Sequence, residues 1–409
     1  MRVAFTTSNW AGHYLCMVPL GWALQAAGHE VRVICAPQQS DTISRAGLVP
    51  VPVVESPDMM YMSRLNLYAR VVEGQEVSPL LPLHPVTGQR VRNLSEFDVA
   101  TAQRAFSQEY TATVRTAYES MWGFVRTWRP HLVCHDVLSG EGAVVAREAG
   151  VPSVYCPPGL FGTSDEELGL DLALLDMVHD MARPHLPGWS REDITHVIDP
   201  SPQSAVPPLG DATRMPVRFV PYNGPGGLPP WAFEPRTRRR VCVLWGRSAS
   251  GIYGADVPAL RAAVDAAVAC GAEVVLTATA EQVRALGTLG AGVRVLRDFP
   301  LDLLLPTSDV LIHHGSDNAL MNGAVAGVPQ LALALASDQI AFSRRLAGSG
   351  AVIALEGLTA EAGQIRSAVE TLLDEPGYAG AALALRAEIR QAPAPAVLVS
   401  ALESMAALN

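Results

Sequence analysis

Short apolar runs recur along this chain, each followed by a longer stretch with helical spacing. Residues 3–6 (VAFT) predict a strand. Residues 17–27 predict a helix that Gly28 closes, because glycine tolerates the left-handed conformation in which helices often end. Residues 31–36 (VRVICA) predict the next strand. After a variable region, 131–134 (HLVC) reads as a strand, 142–149 as a helix and 151–155 as a strand. This β–α–β alternation predicts parallel sheets with helices on both faces, since parallel strands need crossover connections.

The rhythm weakens between residues 157 and 216. Residues 220–235 (VPYNGPGGLPPWAFEP) then concentrate Gly and Pro, as linkers do. Beyond them come strands at 241–244, 274–277, 293–296, 310–312 and 330–335, with helices at 257–269 and 323–326. The expected fold is α/β: two Rossmann-like domains whose parallel sheets face a central cleft. The boundaries fall at 1–215 and 239–385, joined by a linker at 216–238, and a C-terminal helix at 386–409 packs back on the first domain. Ligands of such sheets sit at the carboxyl ends of the strands.

Composition narrows the function. The 409 residues suffice for two domains, and 49% hydrophobic content supports large cores. A net charge of −10 argues against nucleic acid as a partner. The one basic run, 236–240 (RTRRR), reads as a solvated linker. Six cysteines, at 16, 35, 134, 156, 242 and 270, form no CxxC pair and fit buried free thiols in a reducing compartment. Two uncharged stretches, 3–28 and 318–337, are interrupted by Gly, Pro and polar residues, so neither predicts a membrane span. The expectation is a soluble, cytoplasmic protein with no membrane or nucleic-acid partner.

The segment 313–339 (HHGSDNALMNGAVAGVPQLALALASDQ) is the richest in chemistry. A strand runs into a small polar turn, Gly315, Ser316, Asp317 and Asn318, and then into an Ala-rich helix. Free N–H groups and the helix dipole make that junction an anion site. His313 at its mouth adds a donor for a phosphate oxygen. Asp338 and Gln339, a carboxylate beside an amide, suit hydroxyl recognition. Together they suggest a sugar nucleotide. His313 and His314 diverge on an extended segment, and the chain contains no D-x-D motif, so no metal is expected.

Four segments carry a resemblance: HHGSxxx…GVPQL…DQ, the N-terminal TTSNWAGHYLCMVPLGWALQAAGHEVRV, the linker RFVPYNGPGGLPPW and the tail LRAEIRQAPAPAVLV. They resemble family 1 glycosyltransferases of the GT-B fold, in particular actinobacterial antibiotic enzymes that move deoxysugars from dTDP-sugars onto polyketides. The resemblance implies an inverting transferase with a dTDP-sugar co-substrate, no further cofactor, and an apolar polyketide-type acceptor. O-glycosylation is favoured. C-glycosylation of an aromatic polyketide, a sugar-nucleotide-binding auxiliary protein and an epimerase of the same fold remain open. A homodimer is compatible with this reading.

His13 follows the first strand, where a base for the acceptor proton belongs, and the resemblance assigns it that role. The alternative is a surface or capping histidine. Asp136 follows the strand 131–134 and would orient the imidazole; the alternative is a helix N-cap. In some related C-glycosyltransferases a matching aspartate is itself the base. His135 points the other way and is read as structural. The resemblance gives His313 the pyrophosphate contact. It gives Gly246, Arg247 and Ser248 a second phosphate contact, against a merely solvated arginine. Relatives carry hydroxyls where this chain reads Asp317-Asn318-Ala319, and Asp317 is expected to cap the helix. Relatives place a base-stacking aromatic where this chain has Asp298; Phe299 next to it is the candidate substitute, and a base held mainly by backbone is the alternative. Trp10, Met59, Met60, Tyr61 and Met62 are candidates for the acceptor surface, with simple core as the alternative.

Overall fold

The computed structural model describes residues 1–75, 78–163, 193–297 and 299–407, so Asp298 lies outside the described residues. The chain forms two compact units. The first is Met1–Met59, Ser107–Pro225 and Glu388–Asn409; the second is Met60–Phe106 and Gly226–Ala387.

In the first unit seven parallel strands are described: β1 (Arg2–Thr6), β2 (Glu30–Ile34), β3 (Pro50–Val51), β4 (Leu132–His135), β5 (Ser153–Tyr155), β6 (His196–Asp199) and β7 (Thr213–Pro216). Their order is β3-β2-β1-β4-β5-β6-β7. Every residue of β4 is buried, as expected of a central parallel strand covered on both faces. The order reverses between β1 and β4, where Thr6 pairs with His135. Crossovers leave that point in opposite directions and open a crevice at the strand ends. The helix Pro395–Ala407 sends Leu398, Val399 and Leu402 into this unit's core beside Leu20 and Leu24. Arg218 N–H donates to Pro393 O at 2.7 Å, and His29 meets Glu403 at 2.9 Å.

The second unit repeats the plan. Its described strands are β8 (Arg240–Leu244), β9 (Glu273–Thr277), β10 (Val293–Leu296), β11 (Val310–His313), β12 (Gln330–Ala334) and β13 (Val352–Glu356), all parallel, in the order β10-β9-β8-β11-β12-β13. Its switch point lies between β8 and β11, where Leu244 pairs with His313. The helices Pro258–Ala269 and Ala362–Asp374 pack on the core with Leu260, Val264, Ile365 and Val369.

Several expectations change. The units divide the chain differently from the boundaries at 1–215 and 239–385, because Met60–Phe106 clusters with the second unit. Its ties there are polar and apolar: Arg90 donates to Tyr253 O at 2.8 Å and pairs with Asp256, while Leu67 and Val71 line a cavity with Tyr253 and Leu358. An apolar pattern reveals a helix but not which core it joins. The Arg run is exposed over residues 236–239, as a linker would be, and departs from that reading at Arg240. Arg240 is 2% exposed in β8, pairs with Glu273 at 3.0 Å and lies 5.0 Å from the Trp231 ring. Arg236 pairs with Asp309 and Arg239 with Asp374. The helix expected at 323–326 begins earlier and spans Asp317–Ala326. Strands β3, β6 and β7 were not expected, since they lack a continuous apolar run, and β13 was missed although it reads VIAL, half-exposed along most of its length.

Among the described residues no helix is long and apolar enough to cross a membrane. No group of three or more His, Cys, Asp or Glu among them is placed to hold a metal ion. All six cysteines are free, and four are buried.

Candidate active site

In the first unit, three side chains meet at the β1–β4 switch point. His13 sits on the short helix Ala11–Leu15 that follows β1 and is 7% exposed. Asp136, wholly buried, follows β4, and its backbone N–H bonds Thr6 O at 3.1 Å. The imidazole and the carboxylate do not touch directly: Nδ1 is 3.7 Å from Oδ2. Ser8 bridges them. Its hydroxyl lies 3.1 Å from His13 Nδ1 and donates to Asp136 Oδ2 at 2.8 Å. Ser8 N–H donates to the same oxygen at 2.8 Å, and Leu138 N–H donates to Oδ1 at 2.8 Å.

This geometry assigns the protons. The Ser8 hydroxyl has one hydrogen and gives it to Asp136, so it accepts from His13 Nδ1–H. The neutral ring then carries no proton on Nε2, which is the form a general base requires. Burial lowers the His13 pKa below its ordinary value, opposed by the Asp136 charge, so the ring is neutral near pH 7. The expected direct partnership is therefore corrected to a relay through Ser8. Asp136 is also no helix N-cap in this fold, since the helix Gly140–Ala149 starts after Ser139.

Two rings flank the imidazole. Trp10 lies 6.4 Å away and Phe161 6.5 Å, edge-on. On the other side of Ser8 lies a cavity lined by Ser8, Asn9, Ser56, Met59, Tyr110 and Glu141, among others. Of the methionine cluster, Met59 joins this cavity. Met60 packs instead against Gly251, and Tyr61 meets Phe106 edge-on at 5.5 Å, both within the second unit. Met62 lies on the same helix, Met59–Val72, and is half-buried. Sequence reasoning missed Ser8, Phe161, Tyr110 and Glu141. Ser8 had a usable signal: it is a hydroxyl in the loop directly after a strand.

In the second unit, β11 delivers His313 and the turn that follows. His313 is fully buried, and its Nδ1 accepts the Gly315 N–H at 3.1 Å. That bond fixes the turn and leaves the ring proton on Nε2. Gly315 has φ of +84°, and a Cβ there would lie 2.9 Å from Ala334 Cα. The position therefore demands glycine. Ser316, not Asp317, caps the following helix: its hydroxyl accepts Ala319 N–H at 3.3 Å. A shorter hydroxyl at the N-cap position wins because Asp317 is already the first helical residue. Asp317 is half-buried, and desolvation together with repulsion from Asp338 pushes its carboxyl up to about 7. Asn322 Nδ2 donates to Asn318 Oδ1 at 2.9 Å.

Asp338 and Gln339 open the helix Ser337–Ala347, and the Gln339 amide oxygen accepts Leu335 N–H at 3.0 Å. His314 points toward β8: Gly246 N–H donates to its Nδ1 at 3.4 Å, and a Cβ on Gly246 would lie 2.8 Å from the His314 ring. Burial holds His314 down at about 4 and, with His314 beside it, His313 at about 3, so both rings are neutral. Gly246 caps the helix Arg247–Tyr253, where Arg247 is exposed and Ser248 half-buried. Phe299 packs half-buried on the cluster of Cys242, Val275 and Leu304.

Models of the two domains of erythromycin biosynthesis protein CIII-like proteins match this chain, the N-terminal one over residues 22–246 and the C-terminal one over 261–405. The chain belongs to this family. It is a glycosyltransferase of the GT-B fold. The L-demethylnoviosyl transferase of Streptomyces niveus is 33% identical over 98% of this chain and 97% of its own. Among solved structures, spinosyn forosaminyltransferase SpnP is similar with a TM-score of 0.75 and 30% identity, covering 100% of this chain and 99% of its own. Glycosyltransferase VinC in complex with dTDP has a TM-score of 0.77 and 28% identity, with 100% of both chains covered.

Proposed function

We propose that this glycosyltransferase moves a deoxysugar from a dTDP-sugar to a hydroxyl of a polyketide-type aglycone, with inversion. The observation that carries the reading is the His13–Ser8–Asp136 relay, which leaves Nε2 free to take the acceptor proton. The relatives support the donor class: one transfers a demethylnoviosyl group, one a forosaminyl group, and one is solved with dTDP.

The chemistry is a single displacement. His13 Nε2 removes the hydroxyl proton as the oxygen attacks the anomeric carbon, and the bond to the diphosphate breaks. The ring becomes an imidazolium that keeps both protons, and the Asp136 charge stabilises it through the Ser8 bridge without taking a proton. The leaving diphosphate is held by the second unit. N–H groups at the start of the helix Asp317–Ala326, with Gly246, Arg247 and Ser248, supply the positive potential. His313 acts mainly by fixing the Gly315 turn, and Asp338 and Gln339 take the sugar hydroxyls. Phe299 borders the base, and Trp10 and Met59 border the acceptor. The proposal places the reaction in a reducing compartment such as the cytoplasm, which six free thiols fit.

The test has two arms. dTDP should raise the melting temperature of the wild type and of His13→Ala alike. Single-turnover transfer by His13→Ala should fall by about a hundredfold to ten-thousandfold. Undiminished transfer removes His13 as the base, and absence of dTDP stabilisation removes the donor assignment.

A further inference from the structure

Residues 157–163 (PPGLFGT) follow β5 and carry Phe161 to His13, with the two rings edge-on at 6.5 Å. The backbone on the way is strained. Gly159 has φ of +109° and Leu160 φ of +64°. Glycine tolerates that left-handed region, whereas a leucine rarely enters it. Leu160 is nonetheless wholly buried. Its side chain fills the core while its backbone bears the strain. Such a conformation persists only where the surroundings hold it in place.

Ser201 holds it. The Leu160 N–H donates to Ser201 Oγ at 2.7 Å, and that hydroxyl donates to Asp199 Oδ1 at 2.5 Å. Asp199 ends β6, is wholly buried, and takes the Ser201 N–H on the same oxygen at 2.9 Å. Arg214 on β7 donates from Nε to Asp199 Oδ2 and from a second guanidinium nitrogen to Ser201 O, both at 2.7 Å. The amide, the carbonyl and the hydroxyl of Ser201 are therefore all engaged. Thr163 ties the far end of the segment: its N–H donates to Pro208 O at 3.0 Å and its hydroxyl to Leu209 O at 2.6 Å. A carboxylate, a guanidinium and a hydroxyl converging on one backbone N–H make a rigid anchor.

We propose that Ser201, braced by Asp199 and Arg214, is a positioning residue for transfer: through the turn at Leu160 it holds the Phe161 ring against His13. The ring acts by excluding water, because residues 157–163 contain no titratable side chain. Among the described residues the charged group facing the imidazole is Asp136, at 3.7 Å. His135 turns instead to the Tyr155 ring. On the helix of His13 itself, the Cys16 thiol donates to the His13 carbonyl and the Tyr14 hydroxyl bonds Thr42. Without the anchor, Leu160 returns to an ordinary backbone conformation and Phe161 leaves the imidazole. Burial lowers the His13 pKa more than Asp136 raises it, so a wetter ring titrates closer to 6.5. The inference rests on His13 being the base of the reaction proposed above.

The experiment titrates the His13 ring by NMR of histidine-labelled protein without substrate, its signal identified by its loss in His13→Ala. In the wild type the midpoint should lie below 6.5. Ser201→Ala should raise it by about half a pH unit or more, roughly threefold in proton affinity. Ser201→Thr, which keeps the hydroxyl, should restore the wild-type midpoint. Ser201→Cys, near in volume but a weaker acceptor, should fall between, and it carries the test if Ser201→Ala does not fold. Phe161→Ala should give the same rise, and Ser201→Ala added to it should change nothing further. Ser204→Ala, which loses a hydroxyl–carboxylate bond to Glu388 in the same unit, should leave the midpoint in place. A midpoint unmoved by the Ser201 variants, moved as far by Ser204→Ala, or raised additively in the double variant overturns the proposal. Undiminished transfer by His13→Ala would strike the base assignment alone, since the titration needs no turnover.

Discussion

The two units share one topology and set different groups at its switch point. β1 and β4 in the first unit hold the same places as β8 and β11 in the second, and each pair flanks a reversal of strand order. At the first crevice the chain places charge and protons: a buried carboxylate, a bridging hydroxyl and an imidazole. At the second it places backbone: Gly246 and Gly315, each with its N–H on a neutral histidine. Topology decides where a site can be, because only there do strand ends leave a gap. The residues just after each strand decide what the site does. A proton-transfer site needs a group that titrates, whereas a diphosphate site needs fixed N–H donors that require no reorganisation.

Glycine substitutions break the comparison most sharply. Gly28 and Gly315 have nearly the same φ, +85° and +84°. Nothing lies within 4 Å of a Cβ at Gly28, while a Cβ at Gly315 would collide with the backbone of Ala334. Gly28→Ala should therefore cost about 1 kcal/mol, the left-handed strain alone. Gly315→Ala should cost about 3 kcal/mol or more, and dTDP stabilisation should vanish. Denaturant melts with and without dTDP measure both. Equal costs at the two positions would show that the second crevice is no more constrained than a surface turn.

The relay gives the next largest effect. Ser8→Ala leaves His13 Nδ1 without its acceptor and removes one of three donors from Asp136. Transfer should fall roughly tenfold to a hundredfold, as when a group orienting a functional histidine is lost. Asp136→Asn removes the charge that raises the His13 pKa. The acid limb of kcat, already below the ordinary 6.5, should move lower still, because less proton affinity remains to be overcome. A limb that shifts upward would mean that the titrating group is not His13.

The strand-to-turn junctions were legible in the sequence because buried parallel strands read as continuous apolar runs. Residues 3–6, 132–134 and 310–312 all belong to central strands. His13, Asp136 and the 313–318 turn lie at those junctions, so their neighbourhoods could be read as well. Ser8 carried a signal, a hydroxyl in the loop after a strand, but its bridging role depends on Asp136, 128 residues away, and could not be read locally. Glu141 and Tyr110 were hidden for the same reason: they come from different helices and meet only at the cavity. Only the last residue of the Arg run, Arg240, misled, because charge says nothing of burial when Glu273 and the Trp231 ring await it. Residues 60–106 misled because local periodicity is blind to which sheet a helix covers.

The smallest effect separates the two crevices by pH. His13 loses its proton below its ordinary 6.5, so transfer should rise with pH and level off before neutrality. The His313 and His314 rings, at about 3 and about 4, add no titration to the second unit above pH 5. Asp317 does. With its carboxyl pushed up to about 7, it is protonated in mild acid and gains a negative charge as pH rises through 7. That charge sits in the first turn of the helix proposed to receive the diphosphate, where a like charge weakens anion binding. The affinity for dTDP should therefore fall severalfold between pH 6 and pH 8, as read by calorimetry. Asp317→Asn should flatten this dependence and leave the acid limb of transfer in place. If the slope persists in that variant, the titrating group lies elsewhere, and the second crevice is not the purely backbone-built site that contrasts with the first.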